Sequence, residues 1–450
     1  PEVFEGLKER KAFALKIDKK YGGHGFTQAE YNEILKLVAS YDSNLVALLS
    51  AHQSIGVPQP LIQFGSDELK DKYLPQIAKG AISAFALTEP EVGSDPANLK
   101  TIVEDKGDHY LLSGEKLWCT NGTVADLLVV MARHSGEKEM SAFVVETAWP
   151  GVEVKYRCRF MGLKAIENGY LHFKDVKVPK ENLIWEKGKG LKLALSTLNT
   201  GRLSLPAAVS SGAKKTLEIA RYWTRHRVQW GKPIYKHEAI GHKLADVAAD
   251  SFAMEAISDL ATALYDSGQD IRLEAAMGKL YNTEAGYNAL DELVQMRGGR
   301  GFEIAWSLAQ RNESDLPVER MLRDARINKI FEGTNEVMHL FIAREAVDTH
   351  LKISGTLIDP KKSIMEKIKT LPKVFAFYAK WYPKLWLSPG LYPRFKNYGE
   401  YGKFLRFIHR KTKKLAREIF HGMVFHGPAL QNRQQFLFRI VAVSAELFAM

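Results

Sequence analysis

The chain is poor in cysteine: its 450 residues carry two, Cys119 and Cys158. That excludes a disulfide-stapled scaffold and fits a reducing compartment. No run of 18 apolar residues occurs, so no bilayer-spanning helix is expected. The 13 histidines form no His-Glu-x-x-His and no zinc spacing, so no metal is expected and His242 reads as packing. Tyr21-Gly22-Gly23-His24-Gly25 lacks the Lys-Ser/Thr of a phosphate loop. Ser211-Gly212-Ala213-Lys214 lacks the companion motifs of a serine hydrolase. Two sequons, at Asn121 and Asn312, are no more than chance supplies. Signal-peptide pattern and initiator Met are both absent, which reads as a trimmed or cut chain.

Acidic residues are scarce in one place. Residues 351–450 hold 19 Lys and Arg against 5 Asp and Glu; the other 350 hold 44 against 47. The net charge of +11 therefore belongs to the last hundred residues and concerns what they touch, not the fold.

What is present divides into four sections, as the length leads one to expect. Residues 1–84 read as helical, with a long helix over Ala29 to Ser50 and another over Asp67 to Lys79, Pro75 near its end. Residues 85–187 switch to short strands: His109 to Leu112, Leu127 to Met131, Ala142 to Val145, Val152 to Tyr156 and Tyr170 to Phe173. Turn signals and no helical crossovers separate them, so an antiparallel sheet or barrel is expected. Residues 188–350 read as a helical bundle broken at Gly231-Lys232-Pro233 and Gly298-Gly299. One stripe is Ile240, Leu244, Val247, Ala248, Phe252 and Ile257; Leu280 to Leu293 is another, and Pro206 marks a kink or helix start. Residues 351–450 mix Trp381-Tyr382-Pro383, Trp386, Tyr392-Pro393-Arg394-Phe395 and Tyr398 with a basic helix over Phe404 to Phe420. A last helix from Gln431 reaches Met450 without a cap, which reads as an incomplete section.

Chemistry is concentrated at a few points. Phe331-Glu332-Gly333-Thr334-Asn335-Glu336-Val337 places a carboxylate on a break between helices, with Thr334 as a cap. Glu332 there serves either as a base facing a cavity or as support for the helix dipole. Phe85 to Asp95 runs from a strand into a polar loop whose Thr88, Ser94 and amides suit an anionic or heteroaromatic ligand, or form a plain exposed turn. Trp118 and Thr120 alternate onto one face, which suits a flat cofactor as well as core packing. Gln295 to Phe302 lets backbone approach a ligand or is an interhelical loop; it follows a helix and its glycine spacing is not the dinucleotide fingerprint. Arg225, Arg227 and Lys232 around Trp230 suit a pyrophosphate or a solvated charge cluster.

In this order the motifs resemble the acyl-CoA dehydrogenase family over residues 20–350. They are Tyr-Gly-Gly-His-Gly at 21–25, Leu-Thr-Glu-Pro-Glu-Val-Gly-Ser-Asp at 87–95 and Lys-Leu-Trp-Cys-Thr-Asn-Gly at 116–122, followed by Met-Gly-Leu-Lys at 161–164 and His-Arg-Val-Gln-Trp-Gly-Lys at 226–232. Gln-Met-Arg-Gly-Gly-Arg-Gly-Phe at 295–302 and Phe-Glu-Gly-Thr-Asn-Glu at 331–336 complete the series. The last motif and the extra C-terminal region resemble the very-long-chain branch.

The resemblance implies a helical N-terminal domain (1–84), a middle β-barrel (85–187), a four-helix bundle with the catalytic base (188–350) and an additional helical extension (351–450). It implies bound FAD, held by Phe85, Leu87, Thr88, Gly93, Ser94, Trp118, Cys119 and Thr120. Arg227, Gln229 and Trp230 would meet the FAD of a neighbouring subunit, with Gln295, Met296, Gly298 and Gly299 nearby and Thr334 and Glu336 completing the site. Ser94, Asn199, Arg202 and Gly333 would lie along the acyl-CoA, and Glu332 would be the catalytic base. The implied partners are long-chain acyl-CoA, electron-transfer flavoprotein and a second copy of the chain, a dimer being favoured. The chain departs from the family's usual residues at Cys119, Asn199 and Glu336, and little precedes Tyr21. The basic, aromatic C-terminal region suits an anionic membrane surface, or else a soluble helical cover. DNA binding or an assembly role is the alternative from another class. Bacterial cytoplasm, peripheral on the inner membrane, or the mitochondrial matrix side is the expected location.

Overall fold

The computed structural model describes residues 2–359, 361–386 and 395–450. It divides into two units, Pro1–Gly333 and Thr334–Met450.

The first unit opens with helices α1 (Glu2–Glu9), α2 (Gln28–Ala39), α3 (Ser43–Ser50), α4 (Pro58–Phe64) and α5 (Asp67–Ala78). Thr27 and Glu30 form a reciprocal capping box that starts α2. The single helix expected over 29–50 is two, because the Asp42 side chain accepts the amides of Asn44 and Leu45 and begins α3 afresh. A π-turn over Ala51–Ile55 follows α3. Its buried His52 accepts the Ser83 amide at Nδ1, 2.9 Å, and meets the Phe13 carbonyl at Nε2, 2.8 Å. Burial holds this ring down near a pKa of about 4, so it is neutral and ties the helices to the first strand.

The strands are β1 (Ser83–Ala86), β2 (Ile102–Asp105), β3 (His109–Thr120), β4 (Leu127–His134), β5 (Met140–Glu146), β6 (Val152–Arg157), β7 (Asn168–Pro179) and β8 (Leu183–Ile184). Their order is β6-β7-β3-β2-β4-β5-β8, with β1 on β4. The path is open among the described residues, so of the sheet or barrel expected the described pairings give a sheet. It is also mixed: β1 and β2 run parallel to β4. The alternation of β4 explains its position. Leu127, Val129 and Met131 join Leu61, Leu69, Leu74 and Ile77 of the helices. Leu128, Val130 and Ala132 join Phe143, Val145, Leu171 and Phe173 of the sheet. A strand covered on both faces reads as a continuous apolar run. Each such side chain contributes roughly 1.5–3 kcal/mol by leaving water.

Three long helices follow: α6 (Gly190–His226), α7 (Glu238–Asp266) and α8 (Arg272–Arg297). Leu203, Ala261, Ile271 and Ala275 pack one end; Ile219, Ala220, Leu293 and Met296 pack the other. Gly286 brings α8 against α6, since a β-carbon there would stand 2.4 Å from Val209. Pro206 starts no helix; it lies inside α6 and removes the amide that Arg202's carbonyl would have met. The expected α7 stripe is only half right. Val247 and Ile257 are buried, but Phe252 is 75% exposed. The buried face is rotated, running through Ser251, Met254, Ser258 and Ala261. Serine is tolerated there because its hydroxyl bonds back to the helix, as Ser258 does to Met254 at 2.8 Å. Short helices α9 (Gly299–Phe302), α10 (Ala305–Ala309) and α11 (Val318–Ala325) lead to Gly333.

The second unit holds α12 (Asn335–Ile358), α13 (Ile364–Trp386), α14 (Gly402–His426) and α15 (Gln434–Ala449). The section expected over 188–350 is thus divided between the two units at Gly333, and α12 runs on past residue 350. Trp381, Tyr382 and Trp386 are helical, with Pro372 and Pro383 inside α13. Tyr392, Pro393 and Arg394 lie outside the described residues. The expected basic helix is longer at both ends, as α14. A ring cluster forms this unit's centre: His350 stacks on Tyr378 at 5.7 Å and meets Trp381 at 4.7 Å, while Phe420 meets Tyr378 at 4.9 Å. Among the described residues, no helix is long and apolar enough to cross a membrane.

Candidate active site

Glu332 ends the first unit on a turn that L-residues avoid. Its φ is 55°, and Gly333 follows at 89°. A glutamate in the left-handed region costs about 1–3 kcal/mol, so its surroundings must enforce it. Two buried cations do. Arg202 Nε donates to the Glu332 carbonyl at 3.3 Å, and Lys279 Nζ to the Gly333 carbonyl at 2.7 Å. Arg202 Nη1 also holds Asn199 Oδ1 at 2.9 Å. The structure thus joins four residues proposed from sequence, Asn199, Arg202, Glu332 and Gly333.

The carboxylate itself is held differently. The residue keeps some surface, yet Oε2 has neither solvent access nor a hydrogen-bond partner. It rests on α6 at Gly201, where a β-carbon would stand 2.7 Å from Oε2 and 2.9 Å from Cδ. Burial pushes the carboxyl up to about 7, against the opposing pull of Arg202 and Lys279. The amide of Glu332 donates to no backbone carbonyl among the described residues. The cap of α12 is Thr334, as expected, its hydroxyl accepting the Val337 amide at 3.2 Å.

Gly201 and Lys279 were not singled out from sequence. Gly201 did leave a signal, because glycine inside a long helix costs about 1 kcal/mol and needs a packing reason. Lys279 left none.

A second group forms where β3 ends. Trp118 has φ 55° and is 57% exposed, while Cys119 is buried and its Sγ lies 3.6 Å from the Phe85 carbonyl. Trp118 and Thr120 both stay accessible, but by an irregularity instead of simple alternation: the pairing with β7 shifts register between Lys116 and Cys119. Asn168 Nδ2 donates to Thr120 Oγ1 at 3.1 Å, which leaves the hydroxyl proton free to donate outward. Thr88 accepts the Leu117 amide at 2.8 Å through its carbonyl. Beyond it Gly93 and Ser94 are exposed, and nothing stands within 4 Å of where a Gly93 β-carbon would be.

A third group was assembled by a residue sequence reasoning missed. Trp223 Nε1 donates to the Met296 carbonyl at 3.0 Å. The guanidinium groups of Arg227, Arg297 and Arg300 lie 6.0, 5.1 and 5.8 Å from its ring centre. Arg227 and the Gln295–Gly299 segment are thereby brought together, with Gly298 and Gly299 open in front. Gln229 and Trp230 sit on an exposed two-stranded hairpin, Trp230 at 90% exposure. Thr334 and Glu336 belong to the second unit, at the start of α12. Among the described residues, no cluster could hold a metal ion.

Family models for the N-terminal, middle and C-terminal domains of acyl-CoA dehydrogenases match residues 1–81, 84–176 and 188–347. A probable acyl-CoA dehydrogenase of Mycobacterium tuberculosis is 51% identical across 100% of this chain and 70% of its own length. The chain belongs to the acyl-CoA dehydrogenase family. The human mitochondrial very long-chain specific acyl-CoA dehydrogenase is 32% identical over 100% of the chain and 68% of its own. A Bacillus anthracis acyl-CoA dehydrogenase, solved in complex with FAD, superposes with a TM-score of 0.81 at 29% identity. That match covers 100% of this chain and 74% of that one. Membership gives the acyl-CoA dehydrogenase fold: helical N-terminal domain, middle sheet and C-terminal helical domain.

Proposed function

We propose that this acyl-CoA dehydrogenase uses FAD to convert long-chain acyl-CoA thioesters to trans-2-enoyl-CoA, with Glu332 taking the α-proton. The observation that carries the reading is the Glu332 carboxylate: shut off from water at Oε2, without a hydrogen bond, and with a pKa of about 7. A base with that pKa is matched to neutral pH. The unused amide of Glu332 can polarise the thioester carbonyl and stabilise the enolate that forms as the proton leaves. Arg202 and Lys279 keep the peptide aimed by holding the carbonyls on either side. Asn199 and Arg202, with Ser94 and Gly333, line the acyl-CoA in this reading.

Bound FAD supplies the acceptor for the β-hydride, N5 of its ring, and the route of the electrons to electron-transfer flavoprotein. The free hydroxyl proton of Thr120 and the accessible indole of Trp118 fit a flavin edge and face. The open cradle at Gly93 fits close approach of the loop carrying Phe85, Leu87, Thr88 and Ser94. Arg227, Gln229 and Trp230, with Gln295, Met296, Gly298 and Gly299, serve the FAD of a second copy in a homodimer; the three guanidiniums around Trp223 supply charge for its pyrophosphate. Purified protein should show a flavin spectrum that bleaches under acyl-CoAs of graded length, most strongly with long chains such as palmitoyl-CoA. A colourless protein that takes up no FAD, or bleaching that survives in Glu332→Gln, would sink the reading.

A second element of the proposal is attachment to an anionic membrane surface. Ile364, Ile368, Leu371 and Phe375 form one stripe of α13 and are 77, 55, 50 and 76% exposed. Lys361, Lys362, Lys369 and Lys373 are exposed around it. Apolar side chains bordered by lysines suit a lipid interface better than a DNA duplex. Sedimentation with anionic vesicles, set against a gel shift on duplex DNA, decides between them. The location proposed is the bacterial cytoplasmic face of the inner membrane, or the matrix side of a mitochondrion.

A further inference from the structure

Lys116 is fully buried, and the carboxylate facing it, Glu89, is 3% exposed. Lys116 Nζ donates to Glu89 Oε1 at 2.8 Å and to the Leu87 carbonyl at 3.1 Å. Glu89 also accepts two backbone amides, Thr101 at Oε1, 3.0 Å, and Lys100 at Oε2, 2.5 Å. These contacts link the polar loop after β1 to β3. The loop is held further by the Leu117 amide on the Thr88 carbonyl and, at its far end, by Thr101, whose hydroxyl donates to the Glu115 carbonyl at 3.2 Å and whose carbonyl accepts the Arg133 amide at 2.9 Å; Glu89 with Val92 and Asp95 with Asn98 are internal. Lys116 stands two residues before Trp118, where the ladder to β7 loses its register. Pairing with β7 resumes only at Cys119 and Thr120, so at the gap over Leu117 and Trp118 the strand is tied to the loop instead, by the Lys116 side chain and the Leu117 amide.

From this geometry we infer that the Lys116–Glu89 pair is a positioning device: it sets the loop carrying Thr88, Gly93 and Ser94 at a fixed place relative to Trp118 and Thr120, and so shapes the flavin site. The inference rests on the FAD reading above. A buried ion pair contributes little net stability when both partners are present, and its best-attested use is to fix one arrangement among several. The pair touches no reacting atom; it acts through the loop and the strand end.

The test is FAD affinity and flavin spectrum in the full chain. Flavin is stripped from wild type, Lys116→Met and Glu89→Gln, and FAD is titrated back by fluorescence quenching. Lys116→Met should bind FAD at least 10-fold more weakly, with displaced absorption maxima and a shifted reduction midpoint. Glu89→Gln retains an acceptor for the Lys100 and Thr101 amides and should show a 3- to 10-fold loss; if Lys116→Met does not fold, this variant decides. Variants that melt at lower temperature yet bind FAD within twofold of wild type, with an unmoved spectrum, overturn the inference and leave a purely structural pair. A wild type that holds no flavin refutes the FAD reading instead, and is told apart because it needs no variant.

Discussion

Two glutamates of the first unit each hold carboxylate oxygen away from water and end in opposite states. Glu89 lies against Lys116 and two amides; burial pushes its carboxyl up, but these partners hold it below the usual range. Glu332 has cations nearby that donate to the Glu332 and Gly333 carbonyls, but burial outweighs their pull and its own carboxyl goes up to about 7. Burial sets the cost of the charge; donors within bonding distance decide whether it is met. One carboxylate is thereby a permanent anion that organises a loop, and the other an exchanging proton acceptor.

The largest effect that would test this contrast is on turnover. Glu332→Gln should lower kcat by about 10³-fold or more, in the upper range for removing a general base, with FAD still bound; stopped-flow reduction by palmitoyl-CoA measures it. Next comes stability. Glu89→Ala leaves Lys116 buried without its counter-ion and should cost about 3–5 kcal/mol in denaturant unfolding.

The two sites should also differ in how stability depends on pH. The folded-state pKa of Glu332 is raised, so its contribution is fully present below the ordinary carboxylate value and lost as pH rises through about 7. Glu332→Gln should then be more stable than wild type by up to about 3 kcal/mol at pH 8, and nearly equal to it at pH 5. For Glu89 the folded-state pKa is lowered, so the sign reverses. Glu89→Gln should be less stable at neutral pH, and the gap should close as the solution is acidified through the carboxylate range. Equal pH profiles for the two variants would dissolve the distinction.

Smaller again is Gly201→Ala. Its methyl must displace the carboxylate by contact at 2.7–2.9 Å. A shift on the order of 1 Å should cost about 10–100-fold in kcat with folding intact. Last, kcat/KM should climb tenfold per pH unit below about 7 and level off above it, because only the ionised base accepts a proton.

Strongly patterned stretches were readable in advance. The apolar run Leu127 to Met131 and the Thr334 cap declare themselves through local chemistry. The failures share a cause. Asp42 ends one helix and begins another through a side-chain bond that a smooth apolar pattern hides. Phe252 follows the period of α7 but lies off its buried face, which is fixed by neighbours far away in the chain. Trp118 leaves strand alternation because a register shift against β7 intervenes.

By itself the sequence determined the order of helical, strand and helical sections, the identity of the carboxylate on the break, and the ligand chemistry the motifs can serve. These depend on residues close in the chain, whose conformational preferences and side-chain groups act locally. Only the tertiary structure decided that Glu332 would rest on Gly201 without a donor, and that Glu89 would find Lys116. Solvent exclusion and hydrogen-bond supply are properties of a place in space, and that place is built from segments more than a hundred residues apart at the one glutamate and 27 apart at the other.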